Sequence, residues 1–123
     1  MCPVLYYELL NAAMNNEHPF HVVAWADKKS PTRGVCSWKQ TAKYKKWYQG
    51  WQGSCHERHA EVDLLLKLGK KAPRKIYVTR FKSTGEMTMA RPCIHCQNFM
   101  RQRGVEIVKY TNWDGSWEEL RLN

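Results

Sequence analysis

His59-Ala60-Glu61-Val62-Asp63-Leu64-Leu65-Leu66-Lys67-Leu68-Gly69 reads as a helix, and Lys75-Ile76-Tyr77-Val78-Thr79-Arg80-Phe81-Lys82 as a strand. Pro92-Cys93-Ile94-His95-Cys96 opens a second helix, and Val105-Glu106-Ile107-Val108-Lys109-Tyr110 is a second strand. In the first helix Leu64, Leu65 and Leu68 form the apolar stripe and Gly69 supplies the C-cap. The second helix runs from Pro92 to about Arg103 and stops at Gly104. Ile76-Tyr77-Val78-Thr79 is rich in strand formers. Two strands joined through a helix pair in parallel, so this stretch predicts an α/β fold.

Outward from that centre, residues 4–15 read as a helix, with Leu5, Leu9 and Ala13 spaced four apart. His18-Pro19 ends the pattern. Residues 21–26 form a short strand, residues 27–34 a polar turn around Ser30-Pro31, and residues 35–39 the returning strand. Residues 40–58 have no clean period; they mix Lys43, Lys45, Lys46 and Arg58 with Tyr44, Trp47, Tyr48 and Trp51, and read as a long functional loop. At the other end, Asp114-Gly115 is a two-residue hairpin signal leading into a last strand over residues 117–122. The order is α-β-β-loop-α-β-α-β-β, a mixed sheet with helices packed on it and antiparallel pairs at either end.

The chain has 123 residues, 43% hydrophobic and 25% charged, which fits a single globular domain over residues 1–123. No apolar run approaches the roughly 20 residues that span a bilayer. Met1-Cys2-Pro3-Val4 lacks the pattern of a signal peptide, so the expected location is cytoplasmic and no membrane partner is expected. The five cysteines are an odd number, two of them in Cys93-x-x-Cys96, which favours a metal or redox role over a disulfide framework. The net charge of +9 favours polyanionic partners, nucleotides or nucleic acid among them.

His59-x-Glu61 and Cys93-x-x-Cys96 each begin a helix, and together they specify chemistry that neither specifies alone. Zinc takes nitrogen and sulfur ligands in a tetrahedron, and a catalytic zinc keeps one of four positions for water. Cys93 and Cys96 share a face of a first helical turn, where the helix dipole favours thiolates. His59 can bring a neutral imidazole to the same point. Two thiolates balance the charge of Zn²⁺, and zinc lowers the pKa of bound water toward neutrality. Glu61, two residues after His59, is placed to carry protons on the open side rather than to ligate.

At these residues the sequence resembles the zinc-dependent cytidine and deoxycytidylate deaminase superfamily, whose signature is His-x-Glu followed by Pro-Cys-x-x-Cys. The resemblance extends to the order of elements, with the motifs on successive helices and a strand between. It implies a three-layer fold with a mixed five-stranded sheet, helices on both faces, and the last two strands as an antiparallel hairpin. It implies Zn²⁺ held by His59, Cys93 and Cys96, and Glu61 as the catalytic proton shuttle. It also implies that the backbone at Ala60 and Cys93 touches a base whose exocyclic amine is lost as ammonia.

An Asn that usually holds the sugar in this family is missing from Ser37-Trp38-Lys39-Gln40-Thr41, where Lys39 or Gln40 would substitute. Arg91 and Pro92 precede the first Cys of the pair, and Arg91 is placed to meet a phosphate. Trp113, beside the last turn, can cover the substrate. The short final hairpin resembles that of free-cytidine deaminases, which favours a small cytosine nucleoside or nucleotide and a homo-oligomer. Single-stranded nucleic acid bound along residues 38–58 is the alternative substrate. A non-catalytic zinc-stabilised module is the third reading, and the intact Glu61 argues against it. Cys36, Cys55 and His56 are candidates for a second metal site, although free thiols are the simpler reading. Trp25 and Trp38 are expected in the core.

Overall fold

The computed structural model describes residues 3–14, 21–26, 32–36, 59–69 and 72–122. The described elements run in the order α1 (Pro3–Met14), β1 (Val22–Trp25), β2 (Gly34–Val35), α2 (Ala60–Leu68), β3 (Lys75–Phe81), β4 (Met87–Thr88), α3 (Ile94–Gln102), β5 (Ile107–Thr111) and β6 (Trp117–Arg121). The α/β class holds for these residues, and the order read from the sequence holds apart from the added β4. The returning strand begins at Gly34, one residue earlier than expected; residues 37–58, with Lys39, Gln40, Trp38 and the long basic loop, lie outside the described residues.

The strands form one open mixed sheet in the order β2-β1-β3-β5-β6. β3 and β5 pair in parallel from Lys75↔Ile107 to Val78↔Tyr110, as a helix between two strands requires. The pairs β1–β2, β1–β3 and β5–β6 are antiparallel.

Two expectations are corrected. Among the described residues the sheet has six strands rather than five, because β4 turns back at Gly85 and pairs with the end of β3, Arg80↔Thr88 and Phe81↔Met87. Two residues are too few to show an alternation, so β4 carries no sequence signature. The last hairpin also turns through residues 112–116 rather than through Asp114-Gly115 alone. Gly115 donates its N–H to the Asn112 carbonyl at 3.0 Å and sits at φ 84°, a left-handed conformation that glycine adopts without strain.

Side chains alternate cleanly across the sheet. Ala24, Ile76, Val78, Val108 and Tyr110 face α2 and α3, where they pack with Leu64, Leu65, Phe99 and Met100. Val23, Trp25 and Phe81 face α1 and bury Leu9 and Ala13. Helices therefore cover both faces. Trp25 stacks on Tyr77, and Trp117 meets both rings edge-on at 5.8 and 6.0 Å. Among the described residues no helix is long and apolar enough to cross a membrane.

α2 is fastened to β2 more closely than side chains normally permit. A Cβ added to Gly34 would lie 2.1 Å from the Ala60 carbonyl oxygen and 2.6 Å from the Leu64 nitrogen. Glycine here lets helix and strand backbones touch. Beside it the buried Asp63 carboxylate accepts the Val35 N–H at 3.0 Å and pairs with Lys67 at 2.8 Å. Asp63 also lies in the first turn of α2, where the helix dipole offsets part of the cost of burying its charge.

Candidate metal centre and its cavity

α2 and α3 begin side by side on the same face of the sheet. His59 is the N-cap of α2 and Cys93 the N-cap of α3, and both have extended backbones (φ −72°, ψ 157° and φ −68°, ψ 165°). Their carbonyls already accept the first helical hydrogen bonds, from Asp63 and Gln97, each at 2.9 Å. Neither side chain caps its own helix. Both are therefore available to point away from the helix and toward each other. The buried Pro92 has no N–H to satisfy, and its carbonyl accepts the Gln97 side-chain amide at 2.9 Å, which ties the approach to the first turn.

His59 Nδ1 lies 3.2 Å from Cys96 Sγ and 3.5 Å from Cys93 Sγ. The three ligand atoms all lie within 4.8 Å of one another, close enough to hold one metal ion. Cys93 is half-buried and Cys96 buried, as one turn of helix at the protein surface requires. The hydrogen bond from Cys96 lowers the Cys93 thiol to about 3, and Cys96 is raised because it donates that bond and is buried.

Glu61 stands outside the ligand set but inside the site. It lines the same cavity as His59 and Cys93 and is 4% exposed. Burial pushes its carboxyl above the usual carboxylate range, while a hydrogen bond with Cys96 and the charge of His59 pull the other way. A buried carboxyl beside a ligand set is placed to carry protons.

The cavity has a volume of about 200 Å³. That is room for a small ring rather than for a large ligand. Val22, Met89 and Ala90 form apolar walls, and Arg80, Arg91 and Pro92 complete the rim. Arg91 and Pro92, singled out in the sequence, thus stand at the cavity. Ala60 is fully buried behind His59 against Gly34. Trp113 is 72% exposed in the β5–β6 loop and does not line the cavity. Lys39, Gln40, Cys55 and His56 lie outside the described residues, while Cys36 is buried in the cavity wall and does not belong to the ligand set.

Arg80 is the residue that sequence reasoning passed over. Its signal was present: Ile76, Val78 and Arg80 share one strand face, and Arg80 is the charged residue at the end of that apolar alternation. No protein-family model and no curated protein matches the chain.

Proposed function

We propose that the chain is a zinc-dependent hydrolase that deaminates a free cytosine nucleoside or nucleotide, releasing ammonia and the uracil product. The observation that carries this reading is the spacing of His59, Cys93 and Cys96. A tetrahedral zinc with nitrogen at about 2.0–2.1 Å and sulfur at about 2.3 Å requires nitrogen–sulfur separations of roughly 3.6 Å. The separations here are 3.2 and 3.5 Å. Among the described residues three ligands come together, and a zinc held by three protein ligands keeps a fourth position for water, the pattern of a catalytic rather than a structural zinc.

Bound at these residues, zinc would supply Lewis acidity and an acidified water. The remaining chemistry belongs to the chain. The apolar walls exclude bulk water and hold a flat ring against the His59–Cys93 side of the cavity. Glu61 takes a proton from the attacking water and passes it to the departing amine, from its buried place in the same cavity as His59 and Cys93. A merely structural zinc site would have no use for a buried carboxyl beside an open position.

The β5–β6 pair supports a cytosine substrate and a small one. It is antiparallel through a five-residue loop, residues 112–116, the arrangement that the resemblance associates with free-cytidine deaminases. The same resemblance carries the proposal of a homo-oligomer, which light scattering tests.

The test of function is incubation of zinc-loaded protein with cytidine, deoxycytidine, their monophosphates, and single-stranded oligonucleotides, scored by uracil formation. Turnover of a nucleoside or mononucleotide supports the reading. Turnover of oligonucleotides alone moves the substrate to a polymer. No uracil from any of them refutes it.

A further inference from the structure

We propose that Thr111 and Tyr110, at the end of β5, are positioning residues for the metal centre: their hydrogen bonds to residues 88–91 fix where Cys93 stands relative to His59. This assignment rests on the reading of His59, Cys93 and Cys96 as metal ligands and adds the groups that hold one of them in place.

Cys93 needs such support. It belongs neither to β4, which ends at Thr88, nor to α3, which begins at Ile94. As the N-cap it has an extended backbone, so helical geometry alone does not set its place. A metal nevertheless accepts ligand distances only within about 0.2 Å of their preferred values. The support comes from β5. Thr111 is fully buried, and its Oγ1 donates to the Thr88 carbonyl at 2.6 Å. A hydroxyl has a single proton to give, so Thr79, equally buried and with its Oγ1 2.9 Å away, donates to Thr111. The Thr111 carbonyl accepts the Ala90 N–H at 2.8 Å. One residue of β5 thus ties together β3, the end of β4 and the segment leading to Cys93. Met89 and Ala90, held by these bonds, line the cavity.

Tyr110 makes the second tie, one residue nearer the ligand. Arg91 Nη1 donates to the Tyr110 hydroxyl at 3.3 Å, and the guanidinium carbon lies 5.8 Å from the centre of the Tyr110 ring. The Tyr110 hydroxyl in turn donates to Glu118 Oε2 at 2.9 Å, and Asn112 Nδ2 donates to Glu118 Oε1 at 3.1 Å. The Glu118 carboxylate, on β6, is therefore the anchored end of a chain that runs through Tyr110 to Arg91. Between Arg91 and Cys93 stands Pro92. Its ring fixes its own φ and restricts the preceding residue toward extended backbone, so a position given to Arg91 is passed on to Cys93. On the other side of the centre, Gly34 and Asp63 fasten the helix that carries His59. The β5–β6 hairpin is the matching fastening for Cys93.

The test is zinc affinity of the full chain, measured by competition with a chelator, together with the visible spectrum of the cobalt(II)-loaded protein, which reports ligand geometry. Both are read under conditions where circular dichroism shows parent and variant folded. Thr111→Val keeps the side-chain shape and the backbone bond to Ala90 but removes the hydroxyl between Thr79 and Thr88. Its zinc affinity should fall by about 10–100-fold, the range for partners that orient metal ligands, and its cobalt spectrum should shift. Thr111→Ser keeps the hydroxyl and should bring both close to the parent. Tyr110→Phe should weaken zinc by about tenfold, and it carries the test if Thr111→Val does not fold. Parental zinc affinity and cobalt spectrum in Tyr110→Phe, or in folded Thr111→Val, overturn the assignment even where thermal stability falls, because a purely structural role lowers stability and leaves the metal geometry unchanged. Thr111→Ser as weak as Thr111→Val also overturns it, since the loss would then belong to packing rather than to the hydroxyl. A parent chain that binds neither zinc nor cobalt refutes the metal reading itself, whereas a binding parent with unchanged variants leaves that reading standing.

Discussion

His59 Nδ1 and Cys96 Sγ lie 3.2 Å apart although 37 positions separate them in the chain. The contact exists because α2 and α3 start at one point on the same sheet face, each led by a residue whose side chain does not cap its own helix. Glycine at position 34 and the buried Asp63 hold α2 there, and Pro92 sets the entry to α3.

Replacing Cys96 by Ser should remove the metal and much of the stability together, because metal-binding energy is folding energy at such a site. Elemental analysis should fall from about one zinc per chain to near none. The thermal midpoint should drop by roughly 10 °C or more. A variant with unchanged zinc content would show that Cys96 is not a ligand.

Glu61→Gln should keep the zinc and the fold and lose turnover. The amide matches the carboxyl in shape but carries no proton between water and amine. The expected loss in kcat is about 10²–10⁴-fold, measured by uracil formation at saturating substrate. Activity within a few-fold of the parent would remove Glu61 from the mechanism.

Gly34→Ala tests the joint between β2 and α2. The new methyl would stand 2.1 Å from the Ala60 carbonyl oxygen, so the helix must retreat and take His59 with it. Overpacking of this kind costs about 1–3 kcal/mol or more. Chemical denaturation should show that loss, and zinc affinity should weaken beside it. Parental stability and zinc affinity together would mean that the helix is free to shift.

Glu118 should titrate below the ordinary glutamate range, first because Asn112 donates to its carboxylate and then because Tyr110 does. A depressed native pKa contributes stability above the unfolded value, and that contribution fades as pH falls through the native pKa. The stability gap between the parent and Glu118→Gln should therefore be present at neutral pH and close in acid. Two-dimensional NMR should place the Glu118 midpoint low and show it rising in Asn112→Ala. An ordinary midpoint in the parent would break the chain of bonds that reaches Arg91.

Much of this was legible in the sequence because it is local. The parallel β3–β5 pair follows from a helix between two strands, and the capping glycine at Gly69 ends α2 at φ 71°. His59, Cys93 and Cys96 were recognisable by residue type and spacing. β4 was not, since two residues carry no period. The β5–β6 loop was misjudged because Asp114-Gly115 also occurs inside a longer turn, where Asn112 and Ser116 close the hairpin at 2.9 Å. Arg80 escaped because a charged residue at a strand end ordinarily faces water, and only the packing of the sheet shows that it faces the cavity. Trp113 drew attention as an aromatic near a turn, yet it sits on the solvent side of that turn.

The most direct measurement is the source of the oxygen in the product. Zinc-loaded protein incubated with deoxycytidine monophosphate in ¹⁸O-water should yield the uracil nucleotide with one ¹⁸O at ring carbon 4 and one ammonia per product, both read by mass spectrometry. Folded, zinc-loaded protein that releases no ammonia from any cytosine compound, or a product whose ring carbon 4 carries no solvent oxygen, would contradict hydrolytic deamination at the His59–Cys93–Cys96 centre.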